Sequence, residues 1–172
     1  HSIKGGAATF GLTDLTEVTH MFEHFEDANT AVRSFFEDQE RRGTEIHDKD
    51  SRLQFQSGET LPELRIHYRT LGKLEKDAQG KTTNAVLIMH GTTGSGAQFL
   101  RPEFAGELFG KDQPLDATKF FIVLPDGIGH GKSSKPSDGM HAKFPRYGYL
   151  DMIEAQYRLL TEGLGVNHAR LV

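Results

Sequence analysis

Cysteine is absent from the 172-residue chain, and this excludes a disulfide framework, a thiolate nucleophile and a cysteine-ligated zinc site. Basic residues are not in excess either, since the formal net charge is −4. The sequence contains no basic stripe, so a nucleic-acid partner is not expected. The longest apolar runs, residues 86–89 and 120–124, are far shorter than the about 20 residues that cross a bilayer, so no membrane contact is expected. We expect a soluble globular protein. Cytoplasmic, periplasmic and secreted locations all stay open, because no leader is visible and the chain begins at His1.

Two regions of the chain differ in their hydrophobic pattern. In residues 1–50, apolar residues recur at steps of three and four from Asp14 onward, which predicts an amphipathic helix or two short ones. The charged residues 41–50 are typical of a linker. Residues 51–172 instead alternate between strand-like and helix-like segments. We therefore predict an N-terminal helical extension with its linker, residues 1–50, and a domain that carries the function, residues 51–172.

The segments of the second region have the order expected of an α/β protein. The predicted strands cover residues 52–56, 64–68, 85–89, 120–124 and 169–172, and the predicted helices about residues 98–109 and 150–162. The first two strands alternate polar and apolar residues, as in an antiparallel hairpin, whereas the later ones are continuous apolar runs, as in strands buried on both faces. Alternating strands and helices predict a parallel sheet with helices on both faces, and such a sheet places its site at the carboxyl ends of the strands.

A glycine-rich loop, His90-Gly91-Thr92-Thr93-Gly94-Ser95-Gly96, follows the first buried strand. An enzyme that forms a tetrahedral acyl intermediate needs fixed donors for the developing oxyanion, and backbone N–H groups supply them. A small residue at 91 lets the chain turn tightly and leaves the Thr92 N–H free to point into the cleft. A plain strand-to-helix turn is the alternative, since such turns are common. For His90 we expect a structural role, with hydrogen bonds to the loop backbone.

A second glycine-rich loop, Asp126-Gly127-Ile128-Gly129-His130-Gly131-Lys132-Ser133, follows the next buried strand. Its end resembles the G-K-[ST] of a phosphate-binding loop, but that motif requires glycine where Asp126 stands, and a carboxylate there would repel phosphate. A phosphate-binding loop also runs straight into a helix, which Pro136 and Gly139 interrupt here. The phosphate-loop interpretation is therefore rejected.

Together the two loops resemble the H-G-x-x-G and D-x-x-G-x-G-x-S loops of α/β-hydrolases. Residues 52–172 resemble more narrowly the homoserine O-acetyltransferase-like branch. The segments that carry this likeness are Leu61-Pro62-Glu63-Leu64, Tyr68-Arg69-Thr70-Leu71-Gly72, Asn84-Ala85-Val86-Leu87, Leu115-Asp116 with Phe120-Phe121-Ile122-Val123, and Asp151-Met152 with Ala155-Gln156. Two departures favour a hydrolase over the acetyltransferases. The loop at 90–94 replaces a His-Ala-Leu-Thr-Gly segment, and residues 126–133 replace a loop of the Asn-Leu-Gly-Gly type.

The resemblance implies the N-terminal half of an α/β-hydrolase fold and serine-dependent acyl chemistry. This is either hydrolysis of an ester or acyl transfer with acetyl-CoA as a co-substrate, and no other cofactor or metal is expected. The family's serine lies on a G-x-S-x-G elbow, which the sequence lacks. We expect the serine, the acid and the histidine to come from a C-terminal half of the same polypeptide or from a second chain, so the chain alone should be inactive. A homodimer is left open.

The expected site residues fall into three groups. The catalytic contribution is the Thr92 N–H as oxyanion donor, with Gly91 beside it. The substrate pocket is expected to be lined by Thr93, Gly94, Asp126, Gly127 and His130, and structural roles are expected for His90, Gly129, Gly131 and Ser133.

Two other functions stay open. The segment His20-Met21-Phe22-Glu23-His24 matches the H-x-x-E-H signature of zinc peptidases, in which the histidines bind the metal and the glutamate acts as base. Helical geometry argues against it, because both histidines would face away from the apolar stripe that contains Phe22 and Phe25. The other alternative is a non-catalytic binding module on a hydrolase-like scaffold.

Overall fold

A computed structural model describes residues 45–48 and 53–172 of the chain. The helix predicted from Asp14 onward and the His20, Glu23, His24 motif lie outside the described residues. In the part that is described, no helix combines the length and the apolar character that a membrane crossing requires.

The strands of the described residues form two sheets. The strands are β1 (Glu45–Asp48), β2 (Leu53–Gln54), β3 (Thr60–Leu61), β4 (Leu64–Leu71), β5 (Ala85–Leu87) and β6 (Phe121–Pro125). The main sheet has the order β1-β4-β6-β5, in which β4 is antiparallel to both of its neighbours and β5 is parallel to β6. The short strands β2 and β3 form a separate antiparallel pair. This is a mixed α/β sheet, with the parallel pair at the end that carries the two glycine-rich loops.

The two helices that flank the main sheet begin after these loops. A 3-10 turn, Gly96–Leu100, precedes helix α1 (Pro102–Leu108), and helix α2 (Tyr149–Arg158) continues into a π-helical turn, Leu159–Gly163. The prediction of a single helix over residues 98–109 is wrong in one respect. The helical segment is interrupted at Arg101, whose backbone is extended with φ −65° and ψ 140°. The residue before a proline is disfavoured in the helical region, and Pro102 at the first helical position starts the helix afresh.

Two sequence predictions for the early strands are also wrong. Strand β2, the described part of the first predicted strand, pairs with β3 and not with β4, and β4 lies between β1 and β6. Residues 45–48, predicted as part of a charged linker, form β1, in which Ile46 pairs with Ile66. Backbone hydrogen bonds hold this edge strand, so its charged composition does not prevent pairing. The division of the chain into an extension, residues 1–50, and a domain, residues 51–172, otherwise stays a prediction.

Strand β6 is buried on both faces, as its apolar run predicts. Phe121 and Val123 pack with Ala85, Ala155 and Leu159 in one core cluster, beneath α2. Ile122 and Leu124 pack with Val86, Phe99 and Ala105 in a second cluster, beneath α1. Because successive residues of a strand point to opposite faces, β6 separates the two helix layers.

Residues 169–172 begin a further parallel strand beside β5. The Arg170 amide donates to the Ala85 carbonyl at 2.8 Å, and the Leu87 amide donates to the Leu171 carbonyl at 3.0 Å. The predicted position of this strand is therefore confirmed. Its predicted burial is not, since Leu171 is 52% exposed and Val172 is 73% exposed.

Candidate active site

The two glycine-rich loops meet at the carboxyl ends of β5 and β6. The Gly127 amide donates to the Nε2 of His90 at 2.9 Å, and the Gly96 amide donates to the Oδ1 of Asp126 at 2.8 Å. In the other direction, His130 reaches back with its Nε2 to the Thr92 carbonyl at 2.5 Å. The loops are therefore joined by several hydrogen bonds and form one surface.

Two adjacent backbone donors of the first loop, the amides of Thr92 and Thr93, are unused among the described residues. The Gly91 carbonyl accepts hydrogen bonds from the Gly94 amide at 3.1 Å and from the Nδ1 of His90 at 2.7 Å. Within residues 53–172, the amides of Thr92 and Thr93 donate to no protein acceptor, and both residues are exposed. Two adjacent unpaired N–H groups on a fixed turn are the arrangement that can bind an oxyanion.

His90 makes the backbone hydrogen bonds that the sequence analysis predicts for it. Its Nε2 accepts from the Gly127 amide, so the proton of a neutral ring is on Nδ1, where it is donated to the Gly91 carbonyl. Both ring nitrogens are thus engaged with the two loops. A general-base role for His90 has no support in this geometry.

Asp126 is the buried centre of the second loop. Its carboxylate is 1% exposed and accepts from the Nδ1 of His67 at 2.9 Å, from the Lys132 and Gly96 amides at 2.9 and 2.8 Å, and from the Nη1 of Arg69 at 3.3 Å. Burial raises the pKa of Asp126, but these hydrogen bonds and the Arg69 charge outweigh it and lower the pKa to about 2. The predicted contribution of Asp126 to the substrate pocket is therefore corrected, because its carboxylate is enclosed by donors and faces no open space.

The partners of Asp126 on β4 were missed by the sequence analysis. His67 and Arg69 are two residues apart, so both side chains lie on the same face of the strand, and both are buried. The Nε of Arg69 is buried without a hydrogen-bond partner among the described residues. The basic side chains at alternate positions of β4, Arg65, His67 and Arg69, are the signal that could have identified them.

The hydroxyl of Ser133 connects the second loop to β4 from a buried position. It donates to the Asp126 carbonyl at 2.6 Å and accepts from the His67 amide at 2.9 Å, and the residue is fully buried. Next to it, the Oγ of Ser134 accepts from the Arg65 amide at 2.9 Å. These contacts give Ser133 a place in the scaffold and keep its hydroxyl away from any substrate.

The glycines contribute differently from what was expected. Gly91 has no positive φ, and a Cβ there would meet open space, so the predicted need for a small residue at 91 is wrong. Close approach occurs instead at Gly96, where a Cβ would collide with the backbone carbonyl of Leu124. Gly131 has φ +53°, and a Cβ there would collide with the Asp126 carboxylate. Close packing therefore depends on Gly96 where the first loop meets β6, and on Gly131 within the second loop.

An open cavity of about 420 Å³ lies beside the first loop. It is lined by Thr93, Gly94, Ser95, Ala97, Gln98, Arg101 and Gly131. Of the predicted pocket residues, only Thr93 and Gly94 line it. Gly127 and His130 lie behind the loop, where Gly127 contacts His90 and His130 holds the Thr92 carbonyl. No cluster of three or more potential metal ligands occurs in the described part of the chain.

The chain is similar in sequence and in fold to proteins named as acyltransferases and as an ester hydrolase. It is 33% identical over 124 residues to a probable acyltransferase of Methanothermobacter thermautotrophicus, a match that covers 71% of this chain and 37% of that protein. It is 36% identical over 128 residues to a homoserine O-acetyltransferase of Chloroherpeton thalassium, covering 70% and 32%. An acetylester hydrolase from Corynebacterium glutamicum superposes with a TM-score of 0.61 at 26% identity, covering 74% of this chain and 35% of that one. No family model matches.

These relatives decide the family. The chain belongs to the α/β-hydrolases, in the homoserine O-acetyltransferase-like branch. It spans about a third of the length of the relatives that it matches, 37% of the first and 32% of the second. The family's chemistry is acyl transfer and ester hydrolysis, according to the names of these relatives. Both glycine-rich loops lie within this chain.

Proposed function

We propose that this α/β-hydrolase chain provides the oxyanion-binding loop of a serine-dependent enzyme that hydrolyses an ester or a related acyl compound. The observation that carries the proposal is the unpaired Thr92 amide on a turn held by the second loop. A donor that is fixed before the reaction pays no reorganisation cost when negative charge develops on the carbonyl oxygen. The side chain of Thr92 is not required for this role.

The nucleophile is proposed to come from outside residues 1–172. The sequence has no G-x-S-x-G. The hydroxyl groups of Ser133 and Ser134 are engaged in hydrogen bonds with backbone groups. A serine from a further segment of the polypeptide, or from a second chain, would attack the acyl carbonyl, with a histidine from the same source as base. The residue after that serine would supply the second oxyanion donor.

Hydrolysis is favoured over acyl transfer by residues of both loops. Gly91 and Thr92 replace the Ala and Leu of the acetyltransferase pattern, and Asp126 begins a loop of the hydrolase type. The named acetylester hydrolase among the similar structures supports the same choice. Transfer from acetyl-CoA to a small hydroxyl compound is the second candidate, because relatives that match this chain in sequence include homoserine O-acetyltransferases.

The test uses the protein purified at its natural length with any second chain that accompanies it. Its intact mass is measured, and it is then treated with a fluorophosphonate probe and assayed with acetyl esters, with and without acetyl-CoA and homoserine. We expect one labelled serine outside residues 1–172 and ester hydrolysis that does not need acetyl-CoA. Product formation that depends on acetyl-CoA and homoserine would select the transferase. An unlabelled protein would contradict serine chemistry, and metal found by elemental analysis that is lost on His20→Ala would favour the zinc hydrolase.

A further inference from the structure

Histidines of the two loops hold the opposite loop's backbone in a reciprocal way. His90 belongs to the first loop and accepts from the Gly127 amide of the second, whereas His130 belongs to the second loop and bonds the Thr92 carbonyl of the first. The two rings lie 5.1 Å apart between centroids, tilted by 57°. The pair therefore forms a double link between the loops, which we call the histidine link.

Each imidazole fixes one peptide unit of the oxyanion loop. All described peptide bonds are trans, so the N–H of a peptide unit points opposite to its carbonyl. His90 holds the Gly91 carbonyl at 2.7 Å, which sets the direction of the Thr92 N–H. His130 holds the Thr92 carbonyl at 2.5 Å, which sets the direction of the Thr93 N–H. The Thr92 and Thr93 N–H groups are thus each oriented by a histidine that contacts the carbonyl oxygen of the same peptide unit.

His130 is also attached to its own loop. Its Nδ1 lies 3.0 Å from the Ile128 carbonyl, so each ring nitrogen faces a backbone oxygen. A ring with one proton donates to only one of these two oxygens, and rotation of the ring would move both nitrogens away from them. The side chain is therefore held in one orientation and connects the backbone at Ile128 with the backbone at Thr92.

We infer that His130 is a positioning residue for the oxyanion site, acting through the Thr92 carbonyl without contact to substrate. The inference rests on the proposed function, because positioning matters only if the Thr92 and Thr93 amides receive an oxyanion. The pocket-lining role that the sequence predicts for His130 stays a prediction. Loss of His130 should weaken binding of the tetrahedral state more than binding of the substrate, since the donors strengthen their interaction only as charge develops.

The experiment compares His130→Ala, His130→Gln and the control His168→Ala in the protein at its natural length. His168 is exposed and has no hydrogen bond or ion pair among the described residues. We expect His130→Ala to lower kcat about 10- to 100-fold, less than loss of a whole donor, while KM changes little. Affinity for an alkyl boronic acid, which forms a tetrahedral adduct with the serine, should fall by a similar factor. His130→Gln keeps an N–H near the Nε2 position and should recover most of kcat, and His168→Ala should match the wild type.

A second measurement does not depend on catalysis. Exchange of the hydrogen-bonded Gly94 and Gly96 amides, followed in a peptide covering residues 90–96, should become about 10-fold faster in His130→Ala and keep the wild-type rate in His130→Gln, because only the first variant loses the bond to the Thr92 carbonyl. Equal kcat in wild type and His130→Ala with unchanged exchange would overturn the inference. The inference would also be overturned if kcat fell equally in His130→Ala and His130→Gln and in proportion to the fall in their melting temperatures. A wild type that hydrolyses no ester and takes no fluorophosphonate contradicts the proposed function instead, and the exchange result then still decides whether His130 holds the loop.

Discussion

The backbone amide of Gly96 donates a 2.8 Å hydrogen bond to the carboxylate of Asp126, thirty residues further along the chain. This bond joins the start of the first helical turn after β5 to the end of β6. The same carboxylate also binds β4 through His67 and Arg69. Asp126 therefore joins β4, the end of β6 and the turn at Gly96 directly behind the candidate oxyanion loop.

Replacing Asp126 by asparagine should strongly destabilise the fold. The amide group would present an N–H to donors such as the Gly96 or Lys132 amide, and the buried Arg69 would lose its counter-charge. We expect the free energy of unfolding to fall by about 3–5 kcal/mol in urea titrations. The control is Asp112→Asn, whose carboxylate is 72% exposed and should cost less than about 1 kcal/mol. Equal small losses in both variants would contradict the central role of Asp126.

The stability of the fold should depend on pH through the same carboxyl group. Its pKa is lowered from 3.8 to about 2 in the folded protein, so the folded state holds this proton less tightly than the unfolded state. The resulting stabilisation is complete above the ordinary pKa and is lost as the pH falls through about 2. A carbon-13 titration of the Asp126 carboxyl should give a midpoint well below 3.8. A midpoint at or above the ordinary value would refute the proposed contacts.

Alanine should have opposite consequences at two glycines of the first loop. At Gly96 the added Cβ meets the Leu124 carbonyl of β6, which is backbone and cannot move alone. We expect Gly96→Ala to lower the free energy of unfolding by about 1–3 kcal/mol. At Gly91 the Cβ meets open space, so Gly91→Ala should be neutral or stabilising by up to about 1 kcal/mol. Thermal and urea unfolding of both variants decide this, and the reverse order would show that the loop has a different backbone path.

The oxyanion assignment predicts that Thr92 matters through its backbone. Thr92→Pro removes the N–H and should lower kcat by about 100- to 1,000-fold, whereas Thr92→Ala keeps the N–H and should change kcat little. Steady-state assays of the natural-length protein with an acetyl ester measure both. Circular dichroism verifies that the proline variant is folded. Similar mild effects of the two substitutions in folded protein would exclude the assigned donor.

The sequence determined which segments form the parallel part of the sheet and where the loops follow them. Strands β5 and β6 are buried on both faces, and continuous apolar runs predict this from local composition alone. The two loop motifs gave the family for the same reason, since each is a short contiguous segment. The hydrogen bond of His90 to the Gly91 carbonyl was also predictable, because the two residues are neighbours in sequence, whereas its bond from the Gly127 amide spans 37 residues.

Only the tertiary structure decided what the polar side chains of the loops contact. Asp126 lies 59 residues from His67 and 30 from Gly96, and no local pattern specifies which donors surround a carboxylate after such separations. The pairing of β4 with β1 and β6 likewise depends on backbone hydrogen bonds, which most side chains permit equally. The place of His130 behind the loop, on the Thr92 carbonyl, follows from these long-range pairings. Local periodicity therefore specifies the elements, while non-local packing specifies which atoms meet at the site.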